Sequence, residues 1–473
     1  MEETPGSQTP PGGPLPLSSV QPRLAEEKPH PIAEAIFSLI HSARDIHEAA
    51  ASFVPAAARQ KHTDIHDLAK GIVERGSALV EMRNRAGTSP LTAADKDTVA
   101  RITRYLVQMA YRADRLLNSE LAATLRTSLF QGLFSSFDAF SGRLLTALYE
   151  KQPALFMKIS RPVPASEVLS FESFDALKAD LLRREIDTFR RKSYVEQFED
   201  LERLFDIKLR VFSKWPDFVE CSQRRNIMTH CDGVITDQYV QVCRREGYVF
   251  KDPPPVGMPI TVSDEYLSTS CALLMELGLK LGQTLWRKVL PEELSEADKY
   301  LHRVIYGSLV EENWERAKVY AEFAMGLPRM SSDLDRKIAT INLAIALKFG
   351  GHSESAVRTL EAVDWTGAAL DFRLAESVLL EKYQEATALM KQIGKRGSLI
   401  VEDSYHLWPL FRDFRATEDF RKAYEEVFGH EFISELHKAV ENAAASVALS
   451  DEPAPNGLGE SKSASSNPEG PPE

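Results

Sequence analysis

Apolar residues recur at helical spacing through most of the chain. Ile36, Ile40, Ile46 and Phe53 open the pattern, and Ile65, Leu68, Ile72, Leu79 and Met82 carry it past Pro55. After a turn signal at Gly87-Thr-Ser-Pro90, Val99, Ile102, Leu106, Met109 and Leu116 repeat at the spacing of one helix face. Residues 32–122 therefore predict two or three helices in an N-terminal bundle or stalk. A denser stretch follows, in which Leu125, Leu129, Leu133, Phe137, Phe140, Leu144 and Leu148 keep the same period up to Gln152-Pro153. Arg161-Pro-Val-Pro164 interrupts it. Further helices are predicted over 174–189, 194–212, 218–239 or beyond, and 266–289. Between the last two, 247–262 carries Tyr-Val-Phe, three consecutive prolines and Ile260-Thr-Val262, which suits a small hairpin or an extended loop.

Pro291-Glu-Glu293 reads as a boundary. Beyond it, 309–325, 338–349, 356–363 and 372–390 read as paired helices with small residues at their contacts. Two segments, NWERAKVYAEFAM and EKYQEATALMKQI, share an aromatic residue, then x-x-Ala, then an apolar residue. That pattern resembles the second half of a tetratricopeptide repeat, and Trp408 to Phe420 resembles the closing helices of such an array. The two ends differ in kind. Residues 1–31 hold eight prolines and almost no large apolar side chains, and 449–473 are rich in Ser, Pro, Gly and Glu. Neither buries enough apolar surface to offset the entropy of ordering, so both predict disordered tails. The expected organisation is all-α: N-terminal helices at 32–122, a helical bundle at 123–290 and helical hairpins at 291–448.

Composition narrows the partners. Across 473 residues, 57 Lys and Arg against 69 Asp and Glu leave a net charge of −12. That balance argues against whole-surface attraction to nucleic acid or anionic membrane and still allows a local basic pocket. No apolar run reaches the roughly 18–20 residues of a membrane span, and the acidic, Pro-rich start is the wrong chemistry for a signal peptide. Four cysteines, Cys221, Cys231, Cys243 and Cys271, with no C-x-x-C pair, predict reduced thiols in a cytoplasmic protein and no zinc site. His62 and His66 stand four apart around Asp64, but no second ligand cluster accompanies them, so no metal or other cofactor is expected. Gly350-Gly351 lacks any phosphate-loop fingerprint and reads as a turn.

One segment carries chemistry: Arg225-Asn-Ile-Met-Thr-His230. On a helix, Arg225 and His230 stand about 140° apart and meet only through the reach of arginine, whereas Asn226 and His230 share a face. Spacing alone favours the ordinary reading, an arginine bound to a carboxylate and a packed or solvated histidine. Arg224 extends the cationic run, or pairs with Glu220 four residues earlier. Asp138 is a supporting carboxylate or an ordinary polar residue on an exposed face. The runs Arg183-Arg184 and Arg190-Arg-Lys192, interleaved with Glu185 and Asp187, read first as a solvated helix face and second as a track for an RNA backbone.

Leu133-Phe-Ser-Ser-Phe-Asp-Ala-Phe140, the helices after it, and FVECSQRRNIMTHCDGVITDQYV together resemble the HEPN superfamily of all-α domains over residues 123–290. Its mark is Arg, four to six residues, then His, often with Asn directly after the Arg. Arg225, Asn226 and His230 match it. The resemblance implies a metal-independent endoribonuclease, typically a homodimer and commonly a toxin or phage-defence effector. In that role His230 would serve as general acid or base, Arg225 would hold the phosphate, and Asn226 would orient His230 or contact the phosphate. Arg224 would extend RNA binding, Asp138 would support the site, and the helical C-terminal region would meet a protein partner or antitoxin. Two other readings stand beside it: a non-catalytic scaffold for dimerisation and protein binding, and a site that grips a nucleotide phosphate without cleaving it.

Overall fold

The computed structural model describes residues 29–433 apart from 88, 89, 91 and 160. Within them are seventeen α-helices. The only β pairing among the described residues is two isolated antiparallel bridges, Val234 with Pro259 and Arg396 with Val401. The chain is all-α, as its apolar spacing predicts. Both predicted tails fall outside the described residues except for 29–31, and Pro31 already opens a helix. No helix among the described residues is long and apolar enough to cross a membrane.

Two compact units divide the described chain, one ending at Ala356 and the other starting at Val357. Residues 291–356, placed in the C-terminal array by the sequence pattern, thus belong to the same unit as the central helices.

The first unit begins with α1 (Pro31–Ala86), a continuous helix with Pro55 inside it. Proline removes one N–H bond, and here the freed acceptor belongs to Ala51, an exposed residue whose carbonyl water can serve. α2 (Ala93–Leu117) folds back along α1 and starts with a capping box, in which Thr92 Oγ1 accepts from Asp95 N (3.2 Å) and Asp95 accepts from Thr92 N (2.9 Å). Next come α3 (Leu121–Lys151), the single turn α4 (Ala165–Val168), α5 (Phe174–Arg190) and α6 (Tyr194–Phe205). α7 (Trp215–His230), α8 (Asp237–Arg245) and α9 (Asp264–Val289) complete the central group. Ile36, Leu39 and Ile40 of α1 are buried, and α1 meets α9 at Gly282, where a Cβ would stand 2.6 Å from Ile36. Any larger residue there would force Ile36 to move.

Left-handed residues cut two predicted helices short. α6 stops at Phe205 because Asp206 takes φ 51°, and the Glu202 carboxylate then accepts from Leu209 N (2.7 Å) and Arg210 N (2.9 Å). α7 stops at His230, with Asp232 at φ 49° and Gly233 at φ 73°. The chain runs extended to Ile235 before Thr236 caps α8. Residues 247–262 form an extended segment that returns alongside this break. Gly257 N donates to Ile235 O (2.9 Å), Ile235 N to Met258 O (2.9 Å) and Ile260 N to Gly233 O (2.8 Å).

α10 (Leu294–Val310), α11 (Trp314–Gly326) and α12 (Asp333–Phe349) extend the same unit. α13 (Ser353–Glu361) spans the division, and the second unit continues with α14 (Leu370–Leu379), α15 (Tyr383–Ile393), α16 (Glu402–Leu407) and α17 (Glu418–Phe428). Its core is aromatic, with Tyr405, Phe411, Phe414, Phe420 and Tyr424 buried. One turn recurs three times along the chain. Asn313 N donates to Ser308 O (3.0 Å), His352 N to Leu347 O (2.8 Å) and Lys382 N to Ser377 O (2.8 Å). Each follows a left-handed residue, Glu312, Gly351 or Glu381, and each precedes a buried alanine four positions on, Ala317, Ala356 or Ala386. The first and third fall inside 309–325 and 372–390 and split each stretch between two helices, while the second lies between α12 and α13.

Candidate functional site

The site grows out of an aromatic core. Phe134 and Phe137 point inward from α3 onto Tyr194, Phe137 also meets Phe218, and Phe218 in turn meets Tyr194, Phe198 and Trp215, all with ring centroids 5.5–5.8 Å apart, fastening α3, α6 and α7 together. Asp138, next to Phe137, consequently sits at the rim of this core. Its Oδ1 accepts a hydrogen bond from the Tyr194 hydroxyl (2.7 Å), and its Oδ2 lies 3.9 Å from the Arg225 guanidinium. Burial raises the Asp138 carboxyl above the ordinary carboxylate range, although the Tyr194 hydroxyl and the Arg225 and Arg190 charges oppose that shift. Burial and the adjacent carboxylate likewise push the Tyr194 phenol well up.

Arg225 Nη1 donates to Asn226 Oδ1 (3.2 Å), which leaves the Asn226 NH2 as a donor. His230 is the last residue of α7 and exposed, and its side chain forms no hydrogen bond to the other described residues. Asp138, Arg225, Asn226 and His230 line one open cavity of about 410 Å³. The structure thus brings together four of the five residues singled out in the sequence.

Arg224 goes elsewhere. It reaches Glu220 with Nε (2.9 Å) and Nη2 (2.8 Å), donates Nη1 to Thr261 O (3.1 Å), and lies 3.8 Å over the Tyr266 ring. Glu220 is 2% exposed and also accepts from the Tyr239 and Tyr266 hydroxyls, each at 2.6 Å. Burial disfavours the guanidinium charge, yet its anionic and phenolic neighbours raise the Arg224 pKa overall. The salt bridge four residues back is the reading realised for Arg224, and it fixes α7 to α8 and α9. Cys221, facing inward beside this network, has its thiol pushed up to about 12 by burial, and it contacts Ser270 Oγ at 3.3 Å. Cys231 is half-buried against Ile227, Ile235 and Tyr239. His62 and His66 lie on α1, where His66 faces Asp67 at 3.6 Å.

The same cavity also takes in Arg190, Arg191 and Lys192 from the end of α5, together with Tyr194. Lys192 is bound to Asp200 (2.5 Å), while Arg190 and Arg191 form no ion pair among the described residues. Three arginines therefore face a single lining carboxylate, Asp138, which makes the cavity cationic inside an acidic protein. Its chemistry suits a phosphate ester: guanidinium donors for the charged oxygens, an amide donor from Asn226, and an imidazole open to solvent. Arg190-Arg-Lys192 had a sequence signal only as a basic run. Tyr194 had one only as the first residue after the N-cap of the Ser193–Glu196 capping box, which marks where the chain reverses toward Asp138. Comparison of the chain with family models, curated proteins and solved structures finds no match.

Proposed function

We propose that the cavity at the end of α7 is the phosphate site of a metal-independent endoribonuclease of HEPN type. The observation that supports this is the meeting of Asp138, Arg225, Asn226 and His230 with the unpaired Arg190 and Arg191 in one solvent-open cavity. Cleavage needs a base to take the 2′-hydroxyl proton as that oxygen attacks the neighbouring phosphorus. It also needs an acid to protonate the departing 5′-oxygen, leaving a 2′,3′-cyclic phosphate and a 5′-hydroxyl. His230 supplies one of these groups, and Arg225 stabilises the charge gained by the phosphoryl oxygens. A homodimer through this domain supplies the second imidazole from the other copy, and a protein monomeric at every concentration that still cleaves RNA would rule that sharing out.

In this reading the protein is a cytoplasmic effector of the toxin or phage-defence kind. The helical hairpins beyond residue 291 carry the contact with a protein partner or antitoxin. Expression of the wild type against Arg225→Ala and His230→Ala tests it: growth arrest with broken RNA from the wild type alone is expected, and intact RNA in all three refutes it. A second reading, a dimerising scaffold without catalysis, draws on Asp138, whose carboxylate partly occupies Arg225.

A further inference from the structure

α2 carries positive charge that the proposed site does not use. Among the described residues, α2 contains no fully buried side chain, and one of its faces is strongly cationic. At 100° per residue, Arg101, Arg104, Gln108, Tyr111, Arg112 and Arg115 fall within an arc of about 100° that runs about 21 Å along the helix. The one acidic residue in that arc, Asp97, is taken by Arg101 at 3.3 Å. Arg104, Arg112 and Arg115 are exposed and form no ion pair among the described residues. Tyr111 projects between them and is 77% exposed. The opposite side of α2, with Val99, Ile102, Leu106, Met109 and Leu116, is half-buried, and Tyr105 lies against Arg75 of α1 with the guanidinium 3.7 Å over its ring. The cationic face is therefore the outer one.

We infer that this face of α2 binds the backbone of single-stranded RNA, with Tyr111 stacking on a base. The inference rests on the ribonuclease reading and names its substrate as RNA strands longer than the few nucleotides the cavity itself can hold. A row of arginines along one helix edge meets successive phosphates, and a free aromatic ring between them offers the π-face that unpaired bases use. An anionic membrane fits the same charges less well. Lying in a bilayer surface needs a broad apolar face, and the apolar face of α2 is turned toward α1. The net charge of −12 places such a cationic stripe against the trend of the whole molecule, which concentrates polyanion attraction here and at the cavity.

The test uses the full chain carrying His230→Ala, so that RNA stays intact. Binding of a labelled 12-nucleotide oligouridylate is measured by fluorescence anisotropy over a salt series, with and without the added triple change Arg104→Glu, Arg112→Glu and Arg115→Glu, and separately with Tyr111→Ala. Circular dichroism checks helix content. The triple change is expected to weaken binding at least about tenfold and to flatten the salt slope by about 2, the share of three phosphate contacts on a single strand. Tyr111→Ala is expected to weaken it about tenfold through lost stacking. In the His230-intact background, the triple variant should cleave a dinucleotide at the wild-type rate and long RNA far more slowly. Equal binding and equal slope for the folded triple variant overturn the inference. So does charge-dependent binding to phosphatidylserine vesicles with no change in RNA affinity. RNA bound through α2 by a protein that cleaves nothing leaves this inference standing and removes the ribonuclease reading.

Discussion

Removing Glu220 tests whether the α7 helix that carries Arg225 and His230 is held from behind. Glu220→Ala deletes the acceptor of two phenolic hydroxyls and the counter-charge of Arg224, whose side chain is only 15% exposed. Breaking a buried ion pair from one side costs about 3–5 kcal/mol, because the remaining charge stays desolvated. Arg224 keeps the Thr261 carbonyl and the Tyr266 ring, which places the loss near the lower end, while two stranded hydroxyls push it up. The expected local destabilisation is about 3–4 kcal/mol. Hydrogen exchange reads it directly: amides of α7, α8 and the start of α9 should exchange a few hundredfold faster, with α14 to α17 unchanged. Pairing the change with Arg224→Met should restore much of the protection, since no uncompensated charge then remains. A change of less than about twofold in Glu220→Ala would refute the claim that this network holds the site.

Two further outcomes concern pH. The folded-state pKa of Asp138 is raised, so the native state holds its proton more tightly than the unfolded chain, and stability falls as pH rises through that pKa. Asp138→Asn removes this loss, so its stability relative to the wild type should increase as pH rises from about 4, as followed by urea unfolding at several pH values. Asp335 behaves oppositely. Burial would raise it, yet His302, 3.4 Å away, and hydrogen bonds from the Ser331 and Ser332 hydroxyls lower it from 3.8 to about 2. Its contribution is present above the unfolded value and fades as pH falls from about 4 toward 2, about 2 kcal/mol in all. In Asp335→Asn that acid-dependent loss should be absent from the unfolding curves.

What the sequence disclosed divides along physical lines. Helix existence was legible because apolar spacing repeats over several turns, as in 125–148 and 266–289. Helix ends were less so. Asp206, Glu312 and Glu381 adopt left-handed backbone without being glycine, and nothing local marks them, whereas Asp232-Gly233 does carry a turn signal inside the stretch read as one helix. Pro55 is the converse, a breaker that α1 absorbs where the freed acceptor belongs to an exposed residue, Ala51. Within the site, Arg225, Asn226 and His230 are near in sequence and could be found together. The pairing of Asp138 with Tyr194, and the arrival of Arg190 and Arg191, depend on the reversal between α5 and α6 and on the aromatic core beneath. Arg224 shows the limit of a motif read alone: next to Arg225 in the chain, it points into the network around Glu220.

The most direct measurement incubates the purified protein with a labelled RNA in the presence of a metal chelator and identifies the ends produced. The account predicts cleavage that leaves a 2′,3′-cyclic phosphate and a 5′-hydroxyl, and that drops by about a hundredfold or more in His230→Ala, the scale of losing a general acid or base. A folded, dimeric wild type that leaves the RNA whole, or a His230→Ala protein that cuts as fast, would contradict it.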